Sequence, residues 1–134
     1  MATATALRQP VVIQGGMGVA VSDWRLARAV SVTGQLGVVS GTALDVLLTR
    51  RLQSGDPGGH VRRALAAFPR PEVSRWILDS YFVEGGIGAE GRFAQVPRHT
   101  LSSSVRLQEL TVAAGFAEVF LAKEGHDGLV GINF

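Results

Sequence analysis

Pro10-Val11-Val12-Ile13-Gln14-Gly15-Gly16-Met17-Gly18 decides the fold, because an apolar run passes directly into three glycines within four positions. Val11 to Ile13 are β-branched and continuous rather than alternating, as expected of a strand covered on both faces in a parallel sheet. A helix start, Ser22-Asp23-Trp24-Arg25-Leu26-Ala27, follows within four residues of Gly18. A buried strand ending in this way delivers bare main chain to a ligand, while Met17 adds one soft, polarisable surface suited to a flat conjugated ring. Ser22 is the expected N-cap, Trp24, Leu26, Ala27 and Val30 mark the helix, and Gly34 is its expected stop. Leu36 to Val39 form a second apolar run, so strand, helix and strand fit within about thirty residues, the size of a parallel βαβ unit.

Downstream, Ser40-Gly41-Thr42 turns the chain into a helix from Ala43 to Leu52, which Gly55 stops. Asp56 is the expected N-cap and Pro57 the first residue of a helix through Val61, Leu65 and Phe68, after which Pro69 and Pro71 break the pattern. Glu72 to Val83 predict another helix, ended by Gly85-Gly86-Ile87-Gly88, and residues 85–101 read as loop. Ser102 to Ser104 can cap a long last helix through Leu107, Leu110, Ala114, Phe116 and Leu121, and Gly125 to Gly128 turn it into a terminal strand, Val130 to Phe134. The expected class is parallel α/β with three strands. Connections in such units usually run about 2–6 residues, so residues 43–104 read as a helical insertion or flap between the second and third strands.

Composition narrows the function classes. The 134 residues are 46% hydrophobic and 18% charged, which fits one domain with a real core. A net charge of +2 spread along helices, with acids among the arginines, gives no nucleic-acid footprint, and Arg50-Arg51 and Arg62-Arg63 read as solvated edges. The chain has no cysteine, hence no disulfide, Cys-ligated zinc or thiol nucleophile. Met1 to Arg8 lack the apolar stretch of a secretory signal, and no later run approaches the roughly 18 apolar residues of a membrane span, so a cytoplasmic protein without a membrane partner is expected.

Gly16-Met17-Gly18-Val19-Ala20-Val21 holds the first two glycines of a dinucleotide-binding G-x-G-x-x-G, but Val21 replaces the third. Asp23 would oppose a pyrophosphate at the helix start, and the second strand ends in Ser40 rather than an acidic ribose ligand. The glycines can equally make a tight turn and nothing more. Location favours a site, since ligands of open α/β sheets and of (β/α)₈ barrels sit at the carboxyl ends of strands, where Gly15 to Gly18, Ser40-Gly41-Thr42 and Asn133 would meet. Asn133 is either a carboxamide that a buried strand must hydrogen-bond or a local turn residue. Gln14 is similar, and could instead support neighbouring loops. His60, His99 and His126 show no metal-ligand spacing, although His99 falls in the segment that could form a flap. No G-x-S-x-G surrounds Ser102 to Ser104, and Trp24, Trp76, Tyr81, Phe82, Phe116 and Phe120 are spaced as packing faces.

The stretches Pro10 to Gly18, Trp24 to Val30, Gly34 to Asp45 and Gly128-Leu-Val-Gly-Ile-Asn-Phe134 together resemble the start of a nitronate monooxygenase, a family of FMN-dependent (β/α)₈ TIM barrels. The resemblance runs along nearly all of the chain and is strongest at residues 10–45 and 105–134. It implies that Gly15, Gly16 and Met17 lie against the flavin ring through backbone contacts, that Gly18 eases the turn, and that Asn133 hydrogen-bonds the FMN. The long segment between the second and third strands is more similar to the branch shared with trans-acting enoyl reductases of polyunsaturated fatty-acid synthesis. The family's substrate-side histidine and the glycine-rich loops for the FMN phosphate have no match here and would follow Phe134, so no catalytic residue is assigned. A complete barrel needs about 250 residues and eight strands, so the chain is expected to be about its first third, with open sheet edges and marginal stability or self-association.

The activity so implied is flavin-dependent oxidation of a small alkyl nitronate by dioxygen to a carbonyl compound and nitrite. Two alternatives stand beside it: an FMN-dependent enoyl reductase drawing on NAD(P)H, and an inactive truncated chain serving as an interaction module.

Overall fold

A computed structural model describes residues 9–102 and 104–134. The elements run α1 (Trp24–Ser31), β1 (Gly37–Ser40), α2 (Leu44–Gln53), α3 (His60–Ala66), α4 (Pro71–Tyr81), α5 (Val105–Lys123) and β2 (Val130–Asn133). The architecture is mixed α/β: five helices on a small two-stranded parallel sheet, with Gly37 opposite Val130 and Ser40 opposite Asn133.

The expected first strand is corrected. Val11 to Ile13 make a single parallel bridge, Ile13 to Leu36, flanked by hydrogen bonds from Gln14 N to Leu36 O (3.0 Å) and from Leu36 N to Val12 O (3.1 Å). The reason is position: the run lies along the edge of β1 away from β2, uncovered by the described residues, and Val11 is 90% exposed. Beyond the bridge the side chain of Gln14 continues the ladder, its Oε1 accepting from Val38 N at 3.0 Å while the main chain turns away. Val11 N and Val12 N likewise donate to the carboxamide of Gln35. Two strands and a bridge therefore stand where three strands were expected.

Helix boundaries shift for local reasons. Asp23, not Ser22, is the N-cap of α1, its Oδ1 accepting from Arg25 N (2.9 Å) and Leu26 N (3.3 Å). Helix α3 begins later than expected, after Gly59, and Asp56 caps it from a turn upstream by accepting from Val61 N and Arg62 N. Pro57 thus sits in the turn rather than in the helix. Pro71 opens α4 instead of breaking it, which suits a residue with no N–H to leave orphaned. Of the serine triplet, Ser104 caps α5 through Leu107 N, while Ser103 lies outside the described residues.

Both α1 and α5 cover one face of the sheet. Gly37 and Val39 face α1, and Ile132 lies against Gly115 of α5. Helices α2, α3 and α4 share one buried cluster with α5, joining Leu48, Leu52, Leu65, Ile77, Leu110 and Leu121. At Gly37 the backbones of β1 and α1 approach so closely that a Cβ would collide with the carbonyl of Ala27. Gly37→Ala should therefore cost about 2 kcal/mol or more, as overpacking against rigid backbone does, measured as a lower urea midpoint at unchanged m; a loss below about 0.5 kcal/mol would show that α1 is free to move off the sheet.

Candidate functional site

The carboxyl ends of the parallel stretches form one rim. Gly16 has φ +62°, and a Cβ there would lie 2.8 Å from Val38 O, so only glycine lets the loop fold down onto β1. Gly15 beside it meets only the Met17 side chain, leaving its main chain open. Gly18 closes the turn: its carbonyl accepts from Ser22 N at 2.8 Å and its N–H lies 3.4 Å from Ser22 Oγ. Ser22 is buried and also receives Gln14 Nε2 at 3.2 Å, so the glutamine holds β1 with one end of its amide and the loop with the other.

The last strand joins this rim. Asn133 Nδ2 donates to Met17 Sδ at 3.0 Å, and Asn133 O accepts from Gly41 N at 2.7 Å. Gly15, Gly16, Met17, Gly18, Gly41 and Asn133 are thereby brought to one end of the sheet. The burial argument for Asn133 is corrected: the residue is exposed at an open strand end, and its amide is held by the thioether rather than by a core partner. Met17 is 77% exposed, so the rim is an open platform of main chain and one thioether, with no acid or base on it.

The helix N-terminus next to the rim is filled. Three of its orphan amides are those of Trp24, Arg25 and Leu26. Glu118 Oε2 accepts from Trp24 N at 2.7 Å, and Asp23 takes the other two. Arg51 bridges the carboxylates, its Nη1 on Glu118 and its Nη2 3.2 Å from Asp23 Oδ2. Two carboxylates thus occupy the donors that a pyrophosphate would use. Arg51 is no solvated edge: it neutralises a buried acid. Arg62 and Arg63 are half exposed but paired, with Asp56 and Glu124 respectively. Burial pushes the Glu118 carboxyl above its usual range, against the opposing pull of Arg51 and the Trp24 amide. A lone glutamate within Ala117-Glu118-Val119-Phe120 is the signal by which this pair could have been found.

The histidines serve structure. His126 takes Gly128 N on Nδ1 and meets Ala122 O through Nε2, closing the end of α5, and His60 packs on Trp24 with ring centroids 5.1 Å apart. His99 Nε2 lies 3.1 Å from Oδ2 of buried Asp45, fastening the irregular segment to the first turn of α2. Among the described residues no group of histidines and acids could hold a metal ion, and no helix is long and apolar enough to cross a membrane.

Arg51→Met should cost about 3 kcal/mol near neutral pH, because it strands a buried carboxylate, and the loss should shrink in acid as Glu118 takes up a proton. The folded state holds that proton more tightly than the unfolded chain does. Stability contributed by the protonated carboxyl is therefore complete below pH 4.5, the ordinary value, and is lost as pH rises through the raised one. Urea titrations of wild type and Glu118→Gln across this range should diverge upward in pH, to the disadvantage of the wild type; parallel curves would refute the raised carboxyl.

Comparison of the chain with known protein families, characterised proteins and solved structures returned no match.

Proposed function

We propose that the protein is the N-terminal part of a flavin-dependent oxidoreductase of the (β/α)₈ barrel type, acting on alkyl nitronates with dioxygen to yield a carbonyl compound and nitrite. The observation that carries this reading is the meeting of Gly15 to Gly18 with Asn133 at the carboxyl end of a parallel sheet, where such folds hold their ligands. The residues present fit one face of a flat ring. Gly15 leaves main chain open, Gly16 sinks the loop onto Val38, and Met17 offers a polarisable thioether. FMN supplies the redox chemistry when bound. The chain's own part is to hold the ring against that platform, with the Asn133 amide exchanging Met17 Sδ for a ring heteroatom as acceptor.

Helices on one face only of the sheet, with Val38 on the other, agree with a barrel wall seen from its inner side. On this reading the rest of the barrel covers the exposed run Val11 to Ile13 and the apolar face of α5 and β2, and the protein works in the cytoplasm on a small-molecule substrate. The helical segment 43–104 favours a second reading on the same platform, an FMN-dependent reductase passing electrons from NAD(P)H to an enoyl thioester. Open sheet edges favour a third, an inactive chain that associates through them.

Titrating FMN into the protein made from its whole coding sequence tests the platform, with the visible absorption bands and flavin fluorescence as readouts. Gly16→Ala and Asn133→Ala should each weaken binding about tenfold, roughly one charge-neutral hydrogen bond or a displaced loop. Affinity equal to wild type in both variants, or wild type that leaves the bands unshifted, would sink the flavin reading. Nitrite release from a nitronate against NAD(P)H consumption with an enoyl thioester then separates the two enzymes.

A further inference from the structure

We propose that the cavity between α2 and the segment 93–98 binds a small phosphate ester, with Arg50 and Arg98 as the ligands of its phosphate. The cavity measures about 290 Å³, at the lower end of small-molecule sites. Thr49 and Arg50 line it from α2, and Phe93, Gln95, Val96 and Arg98 from the opposite wall. No carboxylate lines it.

Charge is the decisive feature. Arg51, Arg62, Arg63 and Arg70 each find an acid, whereas Arg50 and Arg98 have no acidic partner among the described residues. Arg50 instead lies over Phe93, with its guanidinium carbon 5.1 Å from the ring centroid. Two arginines thus line one small cavity with no carboxylate between them, and guanidinium forks match phosphate oxygens two at a time. A phosphate ester carries up to two charges for two arginines, where a carboxylate carries one. Phe93, 42% exposed, and Val96 give the organic part of an ester an apolar wall.

The walls are fixed without the ligand. Gln53, buried on α2, accepts from Ala94 N through its side chain and from Ile87 N (3.0 Å) through its carbonyl. Past the cavity, His99 is tied to Asp45. The segment bearing Phe93 and Arg98 is thus pinned on either side, so binding need not order it first, which favours affinity.

Phenyl phosphate is the probe. Isothermal titration without flavin should give one saturable site, at least tenfold tighter than for benzoate and for inorganic phosphate. Arg98→Met, on an exposed loop residue with no acidic partner among the described residues, should weaken it at least tenfold with unchanged circular dichroism, and Arg50→Met/Arg98→Met should abolish it. Arg75→Met, on the exposed side of α4, should leave it unaltered. Amide shifts at Thr49 and Ala94 should place the ligand in the cavity. Equal binding of benzoate would overturn the phosphate assignment, equal binding of inorganic phosphate would overturn the ester, and no saturation or insensitivity to Arg98→Met would overturn the site. Since the titration omits flavin, its failure leaves the platform reading untouched, and the failure of that reading leaves this one.

Discussion

One buried carboxylate orders the surroundings of the candidate site. Glu118 sits on α5 among apolar neighbours, and a charge in that position is tolerable only if its oxygens are fully engaged. One oxygen takes the first amide of α1, and the other takes Arg51 from α2, which reaches on to the N-cap Asp23. Three helices that are far apart in sequence are thereby fixed in rotation and height relative to one another. Because α1 starts where the glycine loop ends, fixing its first turn against α5 and the last turn of α2 also fixes that side of the rim. The same contacts that satisfy the helix end remove it as an anion site, so the rim is left with neutral amides and a thioether.

Local features were legible to the degree that local chemistry determines them. Helical spacing of Trp24, Leu26, Ala27 and Val30, the β-branched run before Ser40, the leucines of α2 and the terminal Val-Gly-Ile-Asn all became the expected element types within a few residues. Caps were legible only as residue types. Asp23 caps α1 and pairs with Arg51 while the Ser22 hydroxyl is taken by Gln14 and Gly18, and Asp56 reaches α3 across a turn of two left-handed glycines, Gly58 and Gly59. Burial was the least legible property. Val11 to Ile13 have the composition of a core strand, yet whether such a run is covered depends on what lies beside it, and among the described residues its hydrogen-bonded neighbours are Gln35 and Leu36, just ahead of β1.

The site was legible as a set of residues and not as a mechanism of assembly. Glycines, Met17 and Asn133 at strand ends could be grouped from topology alone. What joins them could not: a carboxamide standing in for main chain at Gln14, a thioether accepting from Asn133, and a left-handed Gly16 pressed on Val38 are pairings between residues up to 116 positions apart. Arginine roles were equally hidden, since Arg50 and Arg51 are adjacent in sequence but a helix turns them about 100° apart. Arg51 therefore meets the acids of α1 and α5 while Arg50 meets Phe93.

Sidedness connects fold to function. In β1 Val39 and the bare Cα of Gly37 face the helices, and Val38 faces the other way, toward the glycine loop. The partner of Val38 across the ladder is Gly131, which presents no side chain to that face. The face opposite the helices is consequently thin at its centre, and Gly16 is the residue that descends onto it. A two-stranded parallel sheet has little stability by itself, so its order rests on the helical layer and on Gln14, whose single amide replaces the next rung of a strand. Substituting that amide would release the loop from β1 and the rim from the sheet together, which makes Gln14 the point where the integrity of the fold and the shape of the platform become one requirement.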